Sequence, residues 1–156
     1  MAAVTRLLTF VDIADADAGP NARSLSVTAR HEAVLTDGRR VVLLHDRGWS
    51  ATQHVIWGGQ LSEEDRRRLE LDSPGIWASE TVEETQRTAR FVVGPDEPFE
   101  GRSRADMEAG HWDKLARTLR QHRVEISAAE LKTLRHDVEL SDRVLARIGR
   151  SHREAR

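Results

Sequence analysis

SLSVTARHEAVLTDGRRVVLLHDRGW, residues Ser24 to Trp49, is the stretch on which the fold turns. Its two apolar halves meet at Asp37-Gly38, and an Asp-Gly pair between such halves is a strong hairpin signal because both residues readily take positive φ. Before the turn, Leu25, Val27, Ala29, His31, Ala33 and Leu35 alternate with Ser26, Thr28, Arg30, Glu32, Val34 and Thr36, so a strand here has one dry face and one wet face. After it, Val41-Val42-Leu43-Leu44 has no polar face, which predicts a strand covered on both sides. A two-residue loop pairs Thr36 with Arg39 and sets His31 opposite Leu44 and Arg30 opposite His45.

Outward from the hairpin, Val4 to Ile13 mixes β-branched and aromatic residues and reads as a first strand, with a helix as the alternative. The turn-rich connection Asp15 to Arg23 then gives a three-stranded meander as the simplest topology. His54 to Trp57 reads as a fourth strand, stopped by Gly58-Gly59. The rest of the chain reads as helix. Ser62 with three acids opens a short polar one. Thr81 with Glu84 caps a second, which ends near Val92 before Gly94-Pro95, and Ser103 with Asp106 opens a longer one whose stripe is Met107, Trp112, Leu115, Ala116 and Leu119. Ser127 and Glu130 form a capping box for a helix that turns Leu131 and Leu134 inward. A last helix over Ser141 to Ile148 brings in Val144, Leu145 and Ile148 before Gly149. The expected fold is α+β: an N-terminal antiparallel sheet of three or four strands against a C-terminal half of four to five helices, one domain over 1–149 with a flexible basic tail at 150–156.

Length and composition fit that reading. A chain of 156 residues buries roughly two thirds of its unfolded surface in one core. The longest apolar run, Val4 to Ile13, holds Arg6 and Asp12 and is far short of the ~20 residues a membrane span needs. Ala14, Ala16 and Ala18 imitate a leader-cleavage site, but no basic start precedes them, so the mature chain is expected to begin near Met1. There is no cysteine, hence no disulfide, thiolate nucleophile or cysteine-ligated zinc, and a reducing cytoplasm is the expected compartment. Arginine outnumbers lysine 22 to 2 but is spread along the whole chain, which fits a GC-rich genome better than an anion site. Charge is uneven: residues 61–100 carry eleven acids against five bases, and 101–156 thirteen bases against nine acids. Packing of the acidic middle on the basic end within one chain is the favoured explanation.

No catalytic constellation stands out. His111, His136 and Asp137 are the best metal or hydrolase candidates, but adjacent His and Asp diverge on any regular element and need ligands from elsewhere. His31, alone on an apolar face, reads as a satisfied buried imidazole rather than a catalytic base. On the opposite face Arg30, Glu32 and His45 make a solvated charged cluster. Asp12, Asp15, Asp17 and Asn21 offer oxygen ligands but depart from EF-hand spacing. Arg143, Arg147, Arg150 and Arg153, one helical turn apart, raise a helix-turn-helix reading of the C-terminal helices, diluted by Glu139, Asp142 and Glu154, so nucleic acid is not the favoured partner. Nothing calls for a cofactor.

Two features favour interaction instead. Gly94-Pro-Asp-Glu-Pro-Phe-Glu-Gly101 is stiffened by two prolines and offers Phe99 among Asp96, Glu97 and Glu100. Trp49, Trp57 and Trp77 lie beside glycines at element ends, where exposed indoles mark binding faces; Trp112 reads as core. The expected function is a non-enzymatic protein-interaction or regulatory module with a protein partner or a second copy of itself. A metal-dependent hydrolase and a nucleic-acid-binding helix-turn-helix are the alternatives.

Overall fold

In the computed structural model, which describes residues 2–14, 24–52 and 81–154, three consecutive strands form the expected antiparallel meander: β1 (Val4–Ile13), β2 (Ser24–Leu35) and β3 (Arg40–Thr52). The fourth strand of the sheet is not N-terminal. It is β4 (His136–Leu140), parallel to β1, and the strand order is β3-β2-β1-β4. The described helices are α1 (Val82–Val92), α2 (Arg104–Gln121), α3 (Ala128–Thr133) and α4 (Asp142–Glu154). The class is α+β with a mixed sheet. The expected strand at His54 to Trp57 and the helix after Ser62 fall outside the described residues.

β4 replaces what the sequence reading takes as helix and turn. Thr81, Ser103 and Ser127 all close full capping boxes, as expected, but the helix begun at Ser127 lasts six residues. Its C-cap, Leu134, is already extended (φ −71°, ψ 150°). In His136-Asp-Val-Glu-Leu140 the even positions turn inward while Asp137 and Glu139 point away, the period of a strand. α4 then runs past Gly149, where the sequence reading ends it, and of its expected core residues Val144 and Ile148 are buried while Leu145 is exposed.

The hairpin has a three-residue loop, Thr36-Asp37-Gly38, not two. The Leu35 amide donates to the Arg39 carbonyl at 2.9 Å and the Gly38 amide to the Leu35 carbonyl at 3.0 Å. A two-residue turn of the expected type needs positive φ at both central residues, and only Gly38 has it (φ 86°). His31 still faces Leu44, because β3 carries an extra residue at two irregularities flanking that pair, which also removes the expected pairing of Arg30 with His45. The same bulges explain the apolar run. Val42 is exposed, while the consecutive Leu43 and Leu44 both join the core, so β3 is not covered on both sides there.

The inner sheet face carries two apolar clusters. Leu7, Ala33, Leu35, Val41 and Leu44 pack with Leu115, Leu119 and Leu131 of α2 and α3. Val11, Ile13, Val27 and Leu140 pack with Ala89 of α1 and Val144 and Ile148 of α4. Thr9 and His31, both buried, fall between Leu7 and Val11 on β1 and between Ala33 and Val27 on β2.

Candidate functional site

That polar interruption crosses the sheet. Thr9 and His31 are directly paired across β1 and β2, and the Thr9 hydroxyl lies 2.9 Å from His31 Nδ1 and 2.6 Å from His136 Nε2 on β4. The two imidazoles meet edge to face at 4.9 Å. A hydroxyl has one proton to give, so it donates to one ring and accepts from the other. Because the contacting atoms are Nδ1 of His31 and Nε2 of His136, the two neutral rings then carry their proton on the same nitrogen, both on Nδ1 or both on Nε2. Burial pushes His31 down to about 3, with His136 and His111 as further causes. It pushes His136 down to about 4, reinforced by the Arg90 guanidinium, whose Nη2 donates to the His136 carbonyl at 3.3 Å. Both rings are neutral at pH 7. Half-buried His111 on α2 is lowered as well, by burial and then by Arg47.

Arg47 links this row to the loop between α1 and α2. The β3 bulges turn it to the inner face opposite Ala29, where its Nη1 donates to Asp96 at 2.6 Å. That hydrogen bond, more than any other cause, holds the Asp96 carboxyl below its usual range. The loop is anchored at Asp96 and turns back at Glu100 (φ 53°) and Gly101 (φ 75°) into the Ser103 cap of α2. A non-glycine residue at positive φ is uncommon and persists where its surroundings demand it. Between these points Phe99 is half exposed, with the Arg102 guanidinium 5.4 Å from its ring centroid. Phe91, at the end of α1 just before the loop, is 69% exposed. Phe91 is not singled out by the sequence, because the cap at Thr81 sets the path of that helix and not which of its faces is exposed.

The remaining expectations divide. Glu97 faces Arg104 at 3.9 Å and Glu100 is exposed, so of the loop acids only Asp96 is committed to a close pair, and to a base from the N-terminal third rather than the basic end. Trp49 is half-buried and packs against both clusters, so it is a core anchor and not a free indole. Trp112, expected in the core, packs only partly there and also lines a pocket of about 260 Å³ between α2 and α3 with Ala105, Ala109 and Ala128. An adjoining pocket of about 510 Å³ shares Asp113 and Ala128 with it, and no histidine lines either one. Trp57, Trp77 and His54 lie outside the described residues.

The alternative metal set of His111, His136 and Asp137 does not assemble. His136 turns inward while Asp137 lies on the other face, bound to Arg6 and Arg135, and among the described residues no three His, Asp or Glu side chains gather as ligands. Asp12 goes to Ser141 and Arg143, and Asp15, Asp17 and Asn21 lie outside the described residues. The charged cluster on the outer face is Arg30, Glu32 and Arg40, without His45, and it is not fully solvated: Glu32 is 4% exposed. The helix-turn-helix reading is interrupted by β4, and Arg143 is held by Asp12 and the Ile13 carbonyl. Among the described residues no helix is long and apolar enough to cross a membrane. No family model matches the chain, and neither curated proteins nor solved structures include a significant match to it.

Proposed function

We propose that this protein is an interaction module that pairs with a second copy of itself through the corner between α1 and α2, with Phe91 and Phe99 as its apolar anchors. The observation that carries this reading is the exposure of both phenylalanines, Phe91 69% at the end of α1 and Phe99 50% within the anchored loop that follows. Large exposed aromatics with a neighbouring arginine are the usual composition of an interface centre. The loop's charges favour a second copy over a basic partner. Asp96 is paired with Arg47, Glu97 faces Arg104, and Arg102 lies over Phe99, so two such corners meet without net like-charge repulsion.

Sedimentation equilibrium over a wide concentration range tests the reading. The wild type is expected to show a monomer–dimer equilibrium, and Phe91→Ser and Phe99→Ser each to weaken it about tenfold or more with an unchanged circular dichroism spectrum. A strictly monomeric wild type, or a dimer indifferent to both substitutions, overturns it. Binding of an unrelated protein by a monomeric chain counts against self-pairing in the same way.

A further inference from the structure

We propose that the row His111, His31, Thr9, His136 is a proton-operated latch on β4: in mild acid the unit formed by β4 and α4 leaves the sheet before the β1–β3 meander unfolds. β4 has the shortest backbone pairing in the sheet, and beyond it the unit is tied to β1 through Ser141 and Arg143 on Asp12 and Ile13. The parallel pairing of β4 with β1 spans only Leu7 to Val11, whereas β2 pairs with β1 and β3 along most of its length. The side-chain tie on the inner face is the 2.6 Å contact between His136 and Thr9, and the same hydroxyl serves His31.

A proton added to this row meets little that welcomes it. From β3 the charge facing it is Arg47, from α1 it is Arg90, and from α2 it is Lys114 beside His111. The acids within reach are Asp96, already bound to Arg47, and Asp137, on the opposite face with Arg6 and Arg135. α3 and α4 contribute Leu131, Val144 and Ile148, which are apolar. A second proton places two imidazolium rings 4.9 Å apart out of water. Departure of β4 relieves this, because it gives His136 and His31 back to solvent. The closed form holds His31 at about 3 and His136 at about 4, below the ordinary 6.5. Below 6.5 the open form therefore binds more protons, and opening is favoured by up to about tenfold per pH unit for each ring.

Amide hydrogen exchange on the full chain, corrected for the intrinsic pH dependence of exchange, tests this between pH 7 and pH 4. Protection over 137–148 is expected to fall about tenfold or more per pH unit below pH 6, while β1–β2 and β2–β3 amides stay protected. His136→Asn is expected to flatten that slope, and His45→Asn, at an exposed position, to leave it unchanged. An imidazole titration of the wild type by NMR stands beside the variants in case His136→Asn does not fold. Loss of all protected amides in one step, pH-independent opening of β4, or a His136 ring that titrates near 6.5 with β4 still protected overturns the latch.

Discussion

Thr9 and His31 sit directly opposite each other on β1 and β2, joined at 2.9 Å where neither is more than 2% exposed. A polar pair so deep is tolerated only while its hydrogen bonds are complete. Removing the hydroxyl strands two ring nitrogens at once, since His136 depends on it too.

Thr9→Val keeps the side-chain shape and deletes the bridge, so it is expected to destabilise by about 1–3 kcal/mol for each partner left unpaired. Thr9→Ser keeps the hydroxyl and loses one methyl group, about 1 kcal/mol. Urea unfolding should place the valine variant clearly below the serine variant. The reverse order would show that the bridge contributes less than the methyl.

The pH dependence of global stability separates imidazoles from carboxylates. With folded values near 3 and 4 against 6.5 unfolded, His31 and His136 make the unfolded chain bind more protons throughout mild acid, so stability should fall steadily as pH drops below about 6.5. Asp96 and Asp137 are lowered too, chiefly by hydrogen bonds from Arg47 and Arg135, but from a much lower starting value. What they contribute is intact above their ordinary 3.8 and is lost only as pH falls below it. Urea midpoints at pH 7, 6, 5 and 4.5 are expected to decline across the whole series. A flat series down to 4.5 would mean the buried rings are not held neutral.

Much of the fold was legible because its signals are local. The alternation of Val27, Ala29, Ala33 and Leu35 and the three capping boxes at Thr81, Ser103 and Ser127 depend on neighbours a few residues away, and each produced its element. β4 was missed because a five-residue strand after a capping box has little periodicity to show, and its partner Leu7–Val11 is about 130 residues distant. The bulges that turn Arg47 inward are likewise a tertiary outcome. Hence the Arg47–Asp96 anchor was invisible, although Asp96 and Phe99 could be singled out from the prolines and glycines around them. His31 was readable as a satisfied buried imidazole, but both of its neighbours, Thr9 and His136, were identifiable only after the strand order β3-β2-β1-β4 was known.

Arg47→Ala tests the anchor. The pair is partly exposed, with Asp96 59% accessible, so its loss should change global stability by no more than about 1 kcal/mol. The loop should respond far more than the fold. Cleavage after Glu100 by a glutamate-specific protease is expected to accelerate while the urea midpoint barely moves. An unchanged cleavage rate would show that Pro95 and Pro98 hold the loop without the ion pair.

Two glycines are expected to respond to alanine with opposite signs. Gly48, paired with Thr28 beside the Val27–Trp49 pair, has no room: a Cβ there lies 2.1 Å from the Val27 carbonyl oxygen and 3.3 Å from Thr28 Cα. Those are backbone atoms, so relief requires the two strands to part where Val27 and Trp49 enter the second apolar cluster. Gly48→Ala should therefore destabilise by about 1–3 kcal/mol, as overpacked positions do. Gly110 sits in the middle of α2, where an added Cβ meets nothing within 4 Å. There alanine only restricts the unfolded chain and improves helix propensity, for a gain of about 0.8–1 kcal/mol. Thermal melts of the two single variants should move in opposite directions from the wild type, and a neutral Gly48→Ala would place β3 farther from β2 than the register requires.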